Sequence, residues 1–250
     1  MQQQIHFVLQ GKGGVGKSYV ASLITQYLLS KNQPVLPIDT DPVNATLAGY
    51  EVFNARRLTL LSDGKIIERK FDELMEIIAH TDMNIVIDSG ASTFIPLAYY
   101  LKENNAINMI LGWDKKILVH TIITGGQAFL DTVNGFIALA EQMPPDVGIV
   151  VWLNEFFGDI VHNEKTFEQS KVYQNYHNRI YGIVRLPRYT ASTFGQDVQA
   201  MLDRRLTFEE VAALPEFGLM AKSRLSRVKK SIFDQLDQII PLDQITPTEA

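Results

Sequence analysis

At 250 residues the chain is long enough for one large α/β domain with its own core, and a second independent domain is not expected. Hydrophobic residues make up 46% and charged residues 20%, and the absence of cysteine excludes disulfides, thiolate zinc sites, iron–sulfur clusters and thiol nucleophiles. A formal net charge of −5 argues against a surface that coats nucleic acid indiscriminately, while leaving room for a local basic patch.

The opening residues, MQQQIHFVLQ, carry no basic stretch and no long apolar core before the first glycines. They do not read as a signal peptide, and no apolar run is long enough to span a bilayer, so a cytoplasmic protein is expected. Short β-rich runs follow at 5–10, 34–39, 84–88, 117–123, 147–154 and 181–187. Between the first two, Val20, Ile24, Tyr27 and Leu28 recur at helical spacing. Further helices are expected over 71–80 and 125–143. Apolar strands joined by helices predict a doubly wound, mainly parallel α/β sheet, with ligands at the carboxyl ends of the strands. Pro37 fits poorly inside the second run, where it removes a ladder donor; a bulge or a short strand would absorb it. From about 196 the pattern is helical, with Leu225, Val228, Ile232, Leu236 and Ile239 on one stripe. The domain is expected to cover 1–240, and PLDQITPTEA (241–250) to be a fraying polar tail.

Gly11 to Ser18 satisfy G-x-x-x-x-G-K-[ST] between an apolar strand and an amphipathic helix. In such a loop the glycines let backbone amides face phosphate oxygens, and the helix N-terminus adds its positive end. Gly11, Gly13, Gly14, Val15, Gly16, Lys17, Ser18 and Tyr19 are therefore candidate phosphate-binding residues, Lys17 supplying the mobile charge and Ser18 a hydroxyl for magnesium. A glycine-rich turn without a ligand is the bland alternative. Asp88, ending IVID, can hold magnesium through water, or can be a turn or cap residue before Ser-Gly. Asp39 and Asp41 in PIDTDPVNAT lie two apart at another strand end, although Pro42 and Asn44 favour a turn there in any case.

KGGVGKS, with its lysine at 12, resembles the deviant Walker A motif of the ParA/MinD ATPases, and IDTDPVNAT resembles the corresponding segment of the ParA branch. The resemblance implies a P-loop ATPase using ATP and magnesium and forming a nucleotide-sandwiched homodimer. Lys12 would reach the partner's phosphates, acting in trans as an arginine finger does. Asp41 would orient the attacking water and Asp39 would support the magnesium site. Asn154 and Pro187 match the positions that read adenine, a strand-end cap being the alternative for Asn154. No N-K-x-D guanine-reading motif is present, so ATP is favoured over GTP. Across almost the whole chain, VLQGKGGVGKS, IDTDPVNAT, IDSGAS, VHTIITGGQAFLDTV, VVWLNEFFG and RLTFEEV resemble the TraL conjugal transfer proteins. That likeness implies a role in conjugation or plasmid maintenance, with plasmid DNA or a protein of the partition or transfer apparatus as partner. IDSGAS departs from the D-x-P-P-G or D-T-P-G of the wider family and implies slow hydrolysis.

The resulting expectation is an ATP-dependent dimerisation switch. Its alternatives are a nucleotide-binding adaptor with little or no turnover, or a small-molecule kinase or ligase on the same fold. Lys222, Arg224, Arg227, Lys229 and Lys230 could touch DNA, with a solvated helix face as the default. The C-terminal residues end too polar for a membrane-binding helix, so no stable membrane anchor is expected. His6, His80, His120, His162 and His177 show no metal spacing, and His120 is expected to be a satisfied core group. TGGQ (124–127) is expected to be a plain strand-to-helix turn, with a second anion-binding helix start as the alternative. Trp152, Phe156 and Phe157 are expected in the core or at a dimer face.

Overall fold

All six apolar runs form strands, and a short seventh joins them in one parallel sheet. The computed structural model describes residues 2–62, 65–240 and 242, so the tail expected at 241–250 lies, apart from Leu242, outside the described residues. In chain order the elements begin with β1 (Gln4–Val8), α1 (Lys17–Ser30), β2 (Val35–Asp39) and β3 (Arg56–Arg57). An antiparallel pair, β4 (Leu61–Ser62) and β5 (Lys65–Ile66), leads to α2 (Glu68–His80) and β6 (Asn84–Asp88). Next come α3 (Phe94–Glu103), α4 (Ala106–Gly112), β7 (Lys116–Thr124), α5 (Phe129–Gln142) and β8 (Gly148–Asn154). A second small pair, β9 (Val161–His162) and β10 (Lys165–Thr166), precedes α6 (Lys171–Tyr176) and β11 (Ile180–Leu186). The chain then runs through α7 (Gln196–Asp203), α8 (Phe208–Ala213) and α9 (Leu219–Ile239).

The sheet order is β11-β8-β7-β1-β6-β2-β3. From β1 the chain passes to strands on one side (β2, β3, β6) and then to the other (β7, β8, β11), so the crevice of the switch point opens at the carboxyl end of β1. Alternation along β1 divides the core. Ile5, Phe7 and Leu9 pack with α2–α5, whereas Val8 faces the side of α1 and α9. In α9 the expected stripe holds: Leu225, Val228, Ile232 and Leu236 are buried, and half-buried Ile239 lies so close to Gly182 that any Cβ there would collide.

Pro37 needs no bulge. Thr40 donates to the Asp88 carbonyl and Leu58 donates to the Asp39 carbonyl, so even positions of β2 face β6 and odd positions face β3. The nitrogen of Pro37 therefore points toward β3, which pairs only with Ile38 and Asp39. α2 starts three residues earlier than periodicity suggests, at Glu68. α3 was not anticipated; its proline, Pro96, lies in the first turn, where a missing donor costs little.

One polar chain crosses the centre of the sheet. Trp152 Nε1 donates to His120 Nδ1 at 3.0 Å, which leaves His120 Nε2 as the protonated nitrogen, donating to His6 Nδ1 at 3.0 Å. Both imidazoles are fully buried, and burial pulls His6 down to about 3 and His120 well below its ordinary value. His120 is thus a satisfied core group.

Candidate functional site

The glycine loop leaves β1 and closes on α1. Gly14 and Gly16 have φ of 73° and 101°, the left-handed region that side chains resist. Gly16 is also pressed by its surroundings, since an added Cβ would lie 3.1 Å from Asn154 Nδ2. Asn154, at the end of β8, donates through that nitrogen to the Val15 carbonyl at 3.0 Å and accepts from Phe156 N at 3.2 Å. The strand-end cap foreseen for Asn154 is present, and the same side chain clasps the phosphate loop. Lys17 folds back to donate to the Lys12 carbonyl at 2.9 Å. Burial lowers the Lys17 ammonium, while Asp88 and Asp41 oppose that shift. Lys12 itself reaches across the loop to Asp131, in the first turn of α5, at 2.8 Å.

The acidic side of the site comes from two neighbouring strand ends, because Asp39 of β2 pairs in register with Asp88 of β6. Asp39 spends both oxygens on the loop that follows, accepting from Asp41 N at 3.0 Å and Ala48 N at 2.9 Å. Its carboxyl is raised chiefly by burial, against those two hydrogen bonds. Asp88 is the opposite case: it is fully buried, and neither carboxylate oxygen completes a hydrogen bond within the protein. Burial pushes it up to about 7; the Ser18 hydroxyl is near enough to oppose the rise, and Asp39 adds to it. Asp41 accepts from Val43 N at 2.9 Å and Asn44 N at 3.2 Å, an Asx-type turn. Gly90 lies directly beneath it, where a Cβ would come within 2.9 Å of the Asp41 carboxyl. Ser89 turns its hydroxyl away, to the Val8 carbonyl at 2.7 Å.

Between these walls opens a cavity of about 880 Å³, bounded by the glycine loop, the Asp41–Thr46 segment, Ser92 and Arg205. A smaller, mostly apolar cavity of about 180 Å³ adjoins it through Gly14, Gly16, Tyr19 and Leu202. Asn154, Pro187 and Tyr189 line this second space, and the buried hydroxyl of Tyr189 has no hydrogen-bond partner. Phe156 and Phe157, both half exposed or more, stand at its wall, while Trp152 is in the core. The structure thus gathers Gly13, Gly14, Gly16, Lys17, Ser18, Tyr19 and Asp41 at one cavity and Asn154 and Pro187 at the other, with Asp39 and Asp88 below. Gly11 packs against the Phe94 ring, and Val15 is buried behind the loop. Sequence reasoning passed over Tyr189, Leu202 and Arg205; they come from the C-terminal third, and only the fold carries them to the glycine loop.

TGGQ is a turn forced by close packing. A Cβ on Gly125 would meet the Gly158 carbonyl oxygen at 2.2 Å, and Gly126 has φ of 70°. The basic residues of α9 are engaged: Lys222 with the Ala212 carbonyl, Arg224 with Asp197, Lys229 with Glu209, Lys230 with Asp234, and Arg227 over the Phe194 ring. No helix among the described residues is long and apolar enough to cross a membrane. No group of three or more His, Cys, Asp and Glu among them could hold a metal unaided.

The CobQ/CobB/MinD/ParA nucleotide binding domain matches residues 6–204. Two relatives from Escherichia coli, each named Protein TraL, are 46% and 45% identical over 234 residues, covering 94% of this chain and 97% of each relative. The MinC:MinD cell division protein complex of Aquifex aeolicus matches with a TM-score of 0.50 at 15% identity, over 96% of this chain and 98% of that chain, a likeness of fold alone. By domain match and by identity, the chain belongs to the CobQ/CobB/MinD/ParA nucleotide-binding family, in the branch that holds those TraL proteins.

Proposed function

We propose that this protein is a magnesium-dependent ATPase that works as an ATP-driven dimerisation switch in plasmid conjugation or maintenance, in the cytoplasm. One observation carries the reading: a glycine loop of left-handed geometry faces a buried carboxylate, Asp88, whose two oxygens have no partner in the protein. Such a carboxylate calls for a cation, and the donor set fits magnesium, which keeps several waters and needs few protein oxygens. Ser18 and Asp88 would hold the ion, with Asp39 ordering the neighbouring loop. Bound magnesium would supply neutralisation of charge on the phosphates. Loop amides and Lys17 would bind the phosphate chain, while Asp41 would orient the attacking water. The adjoining apolar space, with Pro187, Asn154 and the free Tyr189 hydroxyl, suits a flat base with polar edges. Lys12 would leave Asp131 for the partner subunit's phosphates. Likeness to the TraL proteins supports the conjugative setting, with plasmid DNA or a protein of the transfer or partition apparatus as the further partner.

A second reading, an adaptor that binds nucleotide and turns it over little, is favoured by the Ser89 hydroxyl, which is committed to Val8 rather than to the cavity. Molecular mass by light-scattering chromatography, with and without ATP and magnesium, separates the two when run on wild type, Lys12→Ala and Lys17→Ala. The switch reading expects a dimer only for wild type with ATP. An ATP-binding wild type whose mass never changes would overturn it and favour the adaptor.

A further inference from the structure

Arg205 occupies a position that local backbone chemistry would give to glycine. At the end of α7, Leu206 N donates to the Met201 carbonyl and Arg205 N to the Leu202 carbonyl, each at 3.0 Å. This nested pair of bonds is a Schellman motif, with Arg205 in its left-handed position at φ 52°. Glycine is the usual occupant because a side chain there is strained. The arginine side chain does not offset that strain with an ion pair: no salt bridge or hydrogen bond to its guanidinium occurs among the described residues, although Arg204 beside it pairs with Glu216. Instead the guanidinium packs against Gly49, whose missing side chain makes the space; a Cβ there would fall 2.5 Å from Arg205 Cδ and Nη1. From that seat it lines the same cavity as the glycine loop, Lys17 and Ser18. Leu202, three residues earlier, lies where this cavity joins the apolar one.

We propose that Arg205 is a phosphate-binding residue of this cavity, a cation delivered by the C-terminal helices onto the polyphosphate chain of the bound nucleotide. A planar, permanently charged fork with free donors suits phosphate oxygens. The inference rests on the nucleotide reading above and adds to it a ligand contact outside the glycine loop. It also accounts for two otherwise unexplained choices, arginine at a glycine position and glycine at 49.

The test is a fluorescence titration with a mant-labelled ATP on wild type, Arg205→Ala, Arg205→Lys, Arg205→Gly and Lys17→Ala, with melting temperatures in parallel. Removing a charge-assisted contact should weaken ATP binding about tenfold or more in Arg205→Ala and Arg205→Gly, with part of the loss restored in Arg205→Lys. Arg205→Gly is the decisive variant, because it relieves the backbone and should melt no lower than wild type while still binding poorly. Competition with unlabelled adenosine should be unchanged by these substitutions. If Arg205→Gly binds ATP within about twofold of wild type while Lys17→Ala does not bind, the proposal falls and the nucleotide reading stands. If wild type itself fails to bind ATP, both fall.

Discussion

Replacing Asp88 by asparagine keeps the shape of the side chain and removes its ionisation. In the wild type, burial, with Asp39 and Asp41 adding repulsion, raises this carboxyl from 3.8 to about 7. Because the folded value lies above the unfolded one, the native state holds the extra proton, and stability falls as pH rises between those values and then levels off. At about 1.4 kcal/mol for each tenfold change in proton affinity, the full penalty above neutrality is about 4 kcal/mol, of which less than half is already present at pH 5. An asparagine amide in the same dry place lacks partners too, at about 1–2 kcal/mol. Asp88→Asn should therefore match wild type near pH 5 and exceed it by about 2–3 kcal/mol at pH 8, which for a chain of this size is about 4–12 °C in melting temperature. The assay is thermal or urea unfolding across that pH range, in chelator and without nucleotide. Magnesium with ATP should narrow the gap by giving the ionised carboxylate its cation. A variant that melts below wild type at pH 8, or a gap that does not change with pH, would refute the argument.

Gly90→Ala would place a methyl 2.9 Å from the Asp41 carboxyl. The displaced Asp41 loop should lower phosphate release about tenfold or more while ATP affinity stays within about threefold; equal hydrolysis would show that the position of Asp41 does not matter. Asp131→Asn removes an exposed ion pair whose side chains are 45% and 57% accessible, so unfolding free energy should change by less than about 1 kcal/mol. Lys12 is then free, and the ATP concentration needed for dimerisation, read by light scattering, should fall. His6 is held down to about 3 by burial and by Lys116, so it contributes stability above its ordinary 6.5 that is lost as pH falls toward 3. His6→Leu should change stability by less than about 1 kcal/mol at neutral pH, because it strands the His120 donor but also removes the buried His6 Nε2–H, which has no partner of its own. Its stability should also depend less steeply on pH between 6 and 4, by about 1.4 kcal/mol per pH unit; an unchanged slope in urea titrations would refute the buried neutral state.

The central strands were readable because they are buried on both faces and so appear as unbroken apolar runs, IVID and VGIVVWLN among them. β3, Arg56–Arg57, was not, since two exposed arginines at a sheet edge carry no apolar signal. α1 is similar in kind: every residue from Val20 to Leu28 is buried, so its stripe is blurred by Ser22, Thr25 and Gln26. Those polar groups are satisfied locally or by α8, as when Gln26 accepts from Phe208 N. Within the candidate site, residues set by local backbone geometry were legible, the glycine loop above all. Pairings that depend on sheet order were not: Asp39 beside Asp88, Lys12 with Asp131, and Asn154 on Val15 span 49, 119 and 139 positions (88 − 39; 131 − 12; 154 − 15). Local pattern carries no information across such intervals.

The polar chain through the sheet has a consequence for how the strands find one another. His6, His120 and Trp152 sit on one face, and each link steps two residues along from its in-register partner: His6 lies opposite Leu118, and His120 opposite Val150. Apolar side chains alone discriminate weakly between alignments of parallel strands, since valine, leucine and isoleucine exchange places at small penalty. Sliding β7 by one residue against β1 would turn His120 to the opposite face and break both links. The indole and imidazole donors would then be dry and unsatisfied, at about 1–3 kcal/mol each. The three side chains thus act as a key that only one alignment of the three central strands can turn, and that alignment is the one that brings the glycine loop, which springs from β1, level with Asn154 at the end of β8.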